Sequence, residues 1–251
     1  MGGASVFPGG RVDPTDGVEA DAGWCDGLDR AEVATLTRAA ALAHRIAAIR
    51  ELFEEAGVLL AREPAGRHVA MTDPTDGRPF ARWRRELHAG TISLKGIAET
   101  AGVRLALDAL VPFARWVTPP IDVRQFDAWF FLARIPEAQT PLADDVETTQ
   151  GRWLTPAEAL SRGAAGELAL PPPTWTTLRE LEHFTSVDAA TDWAMRRVIV
   201  PRQPQLQVLH GDRYLVLPGD PLSSDAWHEP ALAETRFRLA NGRWPAERAG
   251  A

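Results

Sequence analysis

Arg50-Glu51-Leu52-Phe53-Glu54-Glu55-Ala56-Gly57-Val58 is the stretch on which the fold turns. On a helix, Glu51, Glu54 and Glu55 stand at i, i+3 and i+4, so three carboxylates project from one face. Like charges so close repel, and a hard divalent cation that takes oxygen ligands from the group removes the repulsion. Arg50, beside them, is placed to orient one carboxylate through a forked hydrogen bond. A solvated helix end is the bland alternative, since charge runs usually are that. Two features weigh against it. The helix macrodipole puts partial negative charge at the C-terminus, where these carboxylates lie within two turns of Gly57. An arginine, three glutamates and a glycine at fixed spacing also arise by chance at a frequency of only roughly 10⁻⁶ per position.

Outward from this stretch, Asp29 to Ala56 contains no proline or glycine. Asp29 with Glu32 predicts an N-cap pair, apolar residues from Val33 to Phe53 recur at three- and four-residue steps, and Gly57 predicts the stop. Upstream, Val6-Phe7-Pro8-Gly9-Gly10 reads as a short strand ending in a break, followed over 11–28 by a loop rich in Asp and Gly. Downstream, the pattern predicts a strand at Val58-Leu59-Leu60, helices near 79–89 and 93–101, and strands at 109–117, at 125–134 and near Gly151 to Leu154. A helix then starts at Thr155-Pro156, Pro171-Pro172-Pro173 is a break, and helices near 174–184 and 187–197 follow. Two hairpins close the chain, turning at His210-Gly211-Asp212 and Asn241-Gly242. The class is α+β with a mixed sheet.

The 251 residues are 45% hydrophobic and 24% charged, which describes a folded chain of one or two domains. Cys25 is the single cysteine, so internal disulfides, zinc ribbons, CxxC redox pairs and iron–sulfur clusters are excluded, and a reducing, cytoplasmic setting is expected. No apolar run is long enough for a membrane span, and the start lacks the pattern of a signal peptide. Only Lys95 among the 27 basic residues is lysine, and it stands in no Walker loop. A formal charge of -7 argues against broad nucleic-acid binding. The histidines show no HxxxH or HExxH spacing, and there is no G-x-S-x-G elbow. Arg115 and Arg124 flank a loop at strand ends and are candidates for holding phosphates, against the commoner surface role. Trp116 and Phe126 are candidates for stacking on a base, against a place in the core.

Arg50 to Val58 resembles the second half of the Nudix hydrolase box, R-E-(apolar)-x-E-E-x-G-(apolar), at every specified position. Phe7-Pro8-Gly9-Gly10 resembles the glycine pair that opens the same box. The spacing departs from the usual one: Gly10 and Arg50 are 40 positions apart, and Leu42 occupies the place of the first Glu. A box with such an inserted loop is similar to the branch containing the peroxisomal coenzyme A diphosphatases. Arg115-Trp116-Val117-Thr118-Pro119, Arg124-Gln125-Phe126-Asp127 and Arg152-Trp153-Leu154-Thr155-Pro156 fit that branch.

The resemblance implies a Nudix-like mixed β-sheet sandwiched between helices over 1–170, with the insertion at 11–40, and C-terminal helices and hairpins over 171–251. The Phe-Pro-Gly-Gly segment comes so early that the first N-terminal strands are expected to be lacking. The implied activity is hydrolysis of the diphosphate linkage of a nucleotide conjugate, first of a coenzyme A type, with Mg²⁺ or Mn²⁺. Glu51 and Glu55 are the implied direct ligands, Glu54 a direct or water-mediated one, and the carbonyl of Gly9 or Gly10 a further one. The general base is Glu51 or Glu147, the latter in the acidic loop Asp144-Asp145-Val146-Glu147. The expected partner is a small nucleoside diphosphate conjugate, with no nucleic acid and no membrane; a homodimer is compatible with this reading. Two alternatives stand beside it: a Nudix-like module that binds a nucleotide without cleaving it, and a truncated, inactive product.

Overall fold

Thr37, not Asp29, opens the helix that carries the quoted stretch. In the computed structural model, which describes residues 3–17, 20–30, 35–71, 77–119, 125–142, 151–225 and 232–248, α1 spans Arg38–Ala56. The Thr37 side chain accepts the Ala40 N–H at 3.3 Å, satisfying an amide that the first turn leaves unpaired. Asp29 lies instead in a 3₁₀ turn at Leu28–Arg30. The other end matches expectation. Gly57 takes φ +67, its N–H bonds Phe53 O at 3.0 Å, and Val58 N–H reaches Leu52 O at 3.4 Å, a left-handed cap that glycine adopts without strain.

The chain divides into two compact units, one of Pro8–Val111 with Phe131–Arg152, the other of Met1–Phe7, Pro112–Phe130 and Trp153–Ala251. The first is built on α1. Leu42, Ile46, Ile49 and Phe53, one face of that helix, are buried with Phe80, Trp83 and Leu87 of α2 (Phe80–His88) and with Leu94 and Ile97 of α3 (Leu94–Ala101). Ser93 caps α3, accepting the Gly96 N–H, and Gly102 ends it, matching the helix expected near 93–101. A three-stranded sheet completes the core: β3 (Arg104–Ala106) pairs in parallel with β1 (Cys25–Asp26) and antiparallel with β2 (Ala61–Arg62).

The strand expected at Val58-Leu59-Leu60 is displaced to Ala61–Arg62, and a side chain explains why. Gln139 accepts the Leu59 N–H at 2.9 Å and donates to Leu59 O and Val69 O, both at 2.9 Å. A buried amide thus supplies the hydrogen bonds that a neighbouring strand would have made.

The second unit contains two sheets. β4 (Val111–Val117) lies between β5 (Asp127–Leu132) and β6 (Pro201–Arg202), parallel to the latter. The other sheet is antiparallel in the order β10-β9-β8-β7, from β7 (Gln205–Leu209), β8 (Asp212–Val216), β9 (Glu234–Arg238) and β10 (Ala246–Arg248). Its turns are local chemistry: His210 and Gly211, and Asn241 and Gly242, all have positive φ, as two-residue hairpin loops require. The helices are α4 (Pro156–Ala164), α5 (Pro172–Leu181) and α6 (Val187–Arg196). Thr155 and Glu158 form a full capping box on α4, and Pro172 starts α5 rather than only breaking the chain. Gly163 lets α5 approach, since a Cβ there would stand 2.5 Å from Leu170 Cδ1 and 3.1 Å from the Trp175 ring.

Two expected strands are absent. Residues 4–10 and 151–154 are irregular; Val6 and Trp153 are exposed and gain nothing from a pleated, half-buried surface. No described helix is long and apolar enough to cross a membrane.

One carboxylate holds the antiparallel sheet to its loop. Asp220, fully buried at the side chain, accepts from Thr235 Oγ1 at 2.6 Å, Arg236 Nε at 2.9 Å and Leu222 N at 2.8 Å. Burial works to raise its pKa, but the bonds from Arg236 and Thr235 outweigh it and hold the carboxyl below its ordinary range. A carboxyl depressed on folding stabilises the native state above its unfolded value, and loses that contribution as pH falls through the folded one. Urea midpoints should therefore drop on acidification below about pH 4, and Asp220→Asn should lower the neutral midpoint while flattening that dependence. Parallel acid profiles for the two proteins would refute the assignment.

Candidate functional site

The acidic face of α1 and the glycine pair upstream meet in the first unit. Gly9 N–H donates to Glu55 Oε2 at 3.0 Å. Gly10 lies so close to Glu51 that a Cβ there would stand 2.2 Å from Glu51 Oε1. The two glycines reach the helix as an irregular segment, not as the end of a strand, and only the lack of a side chain at Gly10 admits the Glu51 carboxylate. Arg50 lies behind. Its Nη1 donates to Glu51 Oε1 at 2.8 Å and Glu54 Oε2 at 3.4 Å, while Nε and Nη2 hold Asp16 at 3.2 and 2.9 Å and Nη2 also reaches Arg11 O at 2.7 Å.

Glu51 and Glu54 are largely withdrawn from water, with side chains 12% and 14% exposed. Burial pushes the Glu54 carboxyl above its ordinary range; Arg50 and His88 oppose the shift, and Glu51 and Asp13 add to it. Arg50 moves the other way. Its burial disfavours the charge, but the hydrogen bonds and charges of Asp16 and Glu51 dominate and raise its pKa.

The unfavourable position of three glutamates near a helix C-terminus is offset structurally. Arg84 on α2 donates Nε to Glu54 O at 2.8 Å, and Leu142 N donates to Ala56 O at 2.9 Å. A guanidinium at the last carbonyls counters the negative end of the macrodipole beneath the carboxylates.

Among the described residues, no three His, Cys, Asp or Glu side chains converge as a ready metal-binding group: Glu51 and Glu54 are drawn to Arg50, and Glu55 to the Gly9 amide. The donor set still suits a hard divalent cation. It offers carboxylate oxygens from consecutive turns of one helix, an excess of negative charge over Arg50, and a backbone cradle at Gly10 that a Cβ would fill.

The structure brings Gly9, Gly10, Arg50, Glu51, Glu54 and Glu55 together. Arg115 lies in the other unit, where Asp127 takes its Nε at 2.8 Å and Nη2 at 2.6 Å and its guanidinium stacks 5.3 Å from the Trp129 ring centroid. Trp116 is buried, as the core reading has it, while Phe126 is half exposed. Arg124 and Glu147 fall outside the described residues. Sequence reasoning missed Asp16 and Arg84. Their one signal was a buried arginine and a helix C-terminus that each needed an opposite charge, without any indication of where it would come from.

A family model described as the NUDT19 Nudix domain matches residues 27–181. The human acyl-coenzyme A diphosphatase NUDT19 is 30% identical over 192 residues, covering 72% of this chain and 51% of that protein. Its Xenopus laevis counterpart is 28% identical over 165 residues, covering 62% and 43%. This chain thus spans about half the length of the curated relatives it matches. The crystal structure of a Nudix hydrolase from Alicyclobacillus acidocaldarius superposes with a TM-score of 0.55 at 24% identity, over 79% of this chain and 82% of that one.

Proposed function

Since this chain belongs to the Nudix hydrolase superfamily, carrying a Nudix domain of the NUDT19 kind, we propose that it hydrolyses the diphosphate linkage of a nucleotide conjugate, with a coenzyme A-type molecule as the first substrate. The observation that carries the reading is the Glu51, Glu54 and Glu55 face closed by Gly9 and Gly10. The names of the similar diphosphatases support the substrate class.

Glu51, Glu54 and Glu55 would hold Mg²⁺ or Mn²⁺, with the Gly9 carbonyl as a further ligand. Such a cation screens the diphosphate charge and polarises the attacked phosphorus. Glu51 is the general base within the described residues; it would take a proton from the attacking water, and Arg50 fixes its Oε1 at 2.8 Å. Glu147 is the rival base. Arg115 and Arg124 are assigned to the substrate's phosphates, Arg115 with its guanidinium held flat by Asp127 and Trp129. Cys25, buried and pushed up to about 12 by burial and by Asp21 and Asp26, takes no part as a nucleophile. The single, free cysteine is compatible with a reducing, cytoplasmic setting.

Incubation with Mg²⁺ or Mn²⁺ and a panel of coenzyme A, ADP-ribose, dinucleotides and nucleotide sugars tests this. Two phosphomonoesters are expected from a coenzyme A-type substrate. Ligand-dependent thermal stabilisation without metal-dependent products would instead support the non-catalytic binding module. Gly10→Ala should be a sensitive probe. The new methyl would displace the end of a flexible side chain, Glu51, rather than backbone, so the melting temperature should barely move while kcat falls roughly 10- to 100-fold. Unchanged kcat would remove Glu51 from the chemistry.

A further inference from the structure

The helix that carries Arg50 brings no acid of its own to the back of that arginine. Leu42, two turns earlier, is buried in the core. A carboxylate arrives from the inserted loop instead. Asp16, its side chain 5% exposed, takes two of Arg50's donors, Nε at 3.2 Å and Nη2 at 2.9 Å. It is itself held by the Asp13 N–H at 2.8 Å, and Asp16 N–H returns a bond to Asp13 O at 2.9 Å. The next residue, Gly17, has φ +78 and lies against α1 so closely that a Cβ would stand 2.8 Å from Ala43 N. The loop is therefore docked on α1 at two points, and only Arg50 Nη1 is left facing Glu51 and Glu54.

We propose that Asp16 is a positioning residue for the carboxylate cluster, so that the loop inserted within the box forms part of its apparatus. The proposal rests on the reading of Glu51, Glu54 and Glu55 as a divalent-cation site. Asp16 neutralises Arg50 and turns its guanidinium plane. Without that charge the arginine keeps on its far side only the more distant Asp13 carboxylate, 3.8 Å from Nη2: it binds Glu51 and Glu54 more tightly and repels a second cation from them. An outer partner of this kind sets affinity for a metal it never touches.

The test is Mn²⁺ binding, followed by the electron paramagnetic resonance of free Mn²⁺, with thermal midpoints measured in the absence of cation. Asp16→Asn should weaken Mn²⁺ affinity roughly 10- to 100-fold and lower kcat, leaving KM for the nucleotide unchanged. Asp16→Glu, which keeps the charge, should fall between that variant and the wild type. Ile97→Val, a core change in the same unit, should lower the thermal midpoint and leave Mn²⁺ affinity alone. If Asp16→Asn does not fold, Gly17→Ala decides, because it strains the turn under Asp16 while keeping the carboxylate; weaker Mn²⁺ binding is expected there too. Variants that melt earlier but bind Mn²⁺ as tightly as the wild type would reduce Asp16 to a purely structural role and overturn the proposal. A wild-type chain that binds no Mn²⁺ would overturn the cation-site reading itself, and the proposal with it.

Discussion

Glu54→Gln and Glu55→Gln are each expected to lower metal-dependent turnover roughly 100- to 1,000-fold, while the melting temperature stays level or rises. The two halves of this expectation have one cause. Glutamine keeps the volume and one oxygen of glutamate and loses only the charge, so packing against Arg50 and Gly9 survives. Burial, with Glu51 and Asp13, outweighs Arg50 and His88 and disfavours the ionised form of Glu54, so a neutral side chain there removes a cost to the fold. A carboxylate whose ionised form the fold disfavours is a candidate for a charge that serves a ligand rather than the fold. Steady-state rates over a Mn²⁺ series, with thermal melts of the same samples, separate the outcomes. Full turnover in both variants would reassign the three glutamates to a solvated helix end.

How much of this was legible beforehand depended on the range of the interaction. The C-terminus of α1, both ends of α3, the start of α4 at Thr155 and the turns at His210-Gly211 and Asn241-Gly242 are set by residues within six of one another, and the structure has them where local chemistry predicts. The start of α1 failed because two acceptable caps competed: Thr37 captured the Ala40 amide, and Asp29 was left to a 3₁₀ turn. The two-residue strands β1 and β2 had no periodicity to show, and they exist only because β3 lies between them. Gln139 acts on Leu59 across 80 residues, a range at which no pattern signal survives.

The site divides in the same way. Glu51, Glu54 and Glu55 share a face by helical spacing alone, and Gly9 and Gly10 were legible as a break. What tunes the cluster was not: Asp16 reaches Arg50 across 34 residues and Arg84 reaches Glu54 across 30. A carboxylate motif can be read from its own spacing, whereas the charges that make it tolerable come from whichever segments the fold happens to bring beside it.

Arg50 is where those charges meet, and Arg50→Ala is expected to cost about 3–5 kcal/mol of unfolding free energy. The arginine is buried and serves Asp16, Glu51, Glu54 and the Arg11 carbonyl at once. Its removal leaves three carboxylates in a poorly hydrated pocket with no cation among them, which is far more costly than losing an exposed pair worth at most about 1 kcal/mol. Against a total stability of roughly 5–15 kcal/mol, the loss should lower the thermal midpoint by on the order of 10 °C. Arg50→Lys should recover only part of it, because one ammonium cannot place donors on both Asp16 and the two glutamates as a planar fork does. Adding Asp16→Ala to Arg50→Ala should cost little more and could restore stability, since it removes one of the orphaned charges; additive losses would mean that the two residues act independently. Urea denaturation of five proteins, the wild type, Arg50→Ala, Arg50→Lys, Asp16→Ala and the double variant, measures all of this, and an Arg50→Ala protein within about 1 kcal/mol of wild type would show that water, not Arg50, neutralises the cluster.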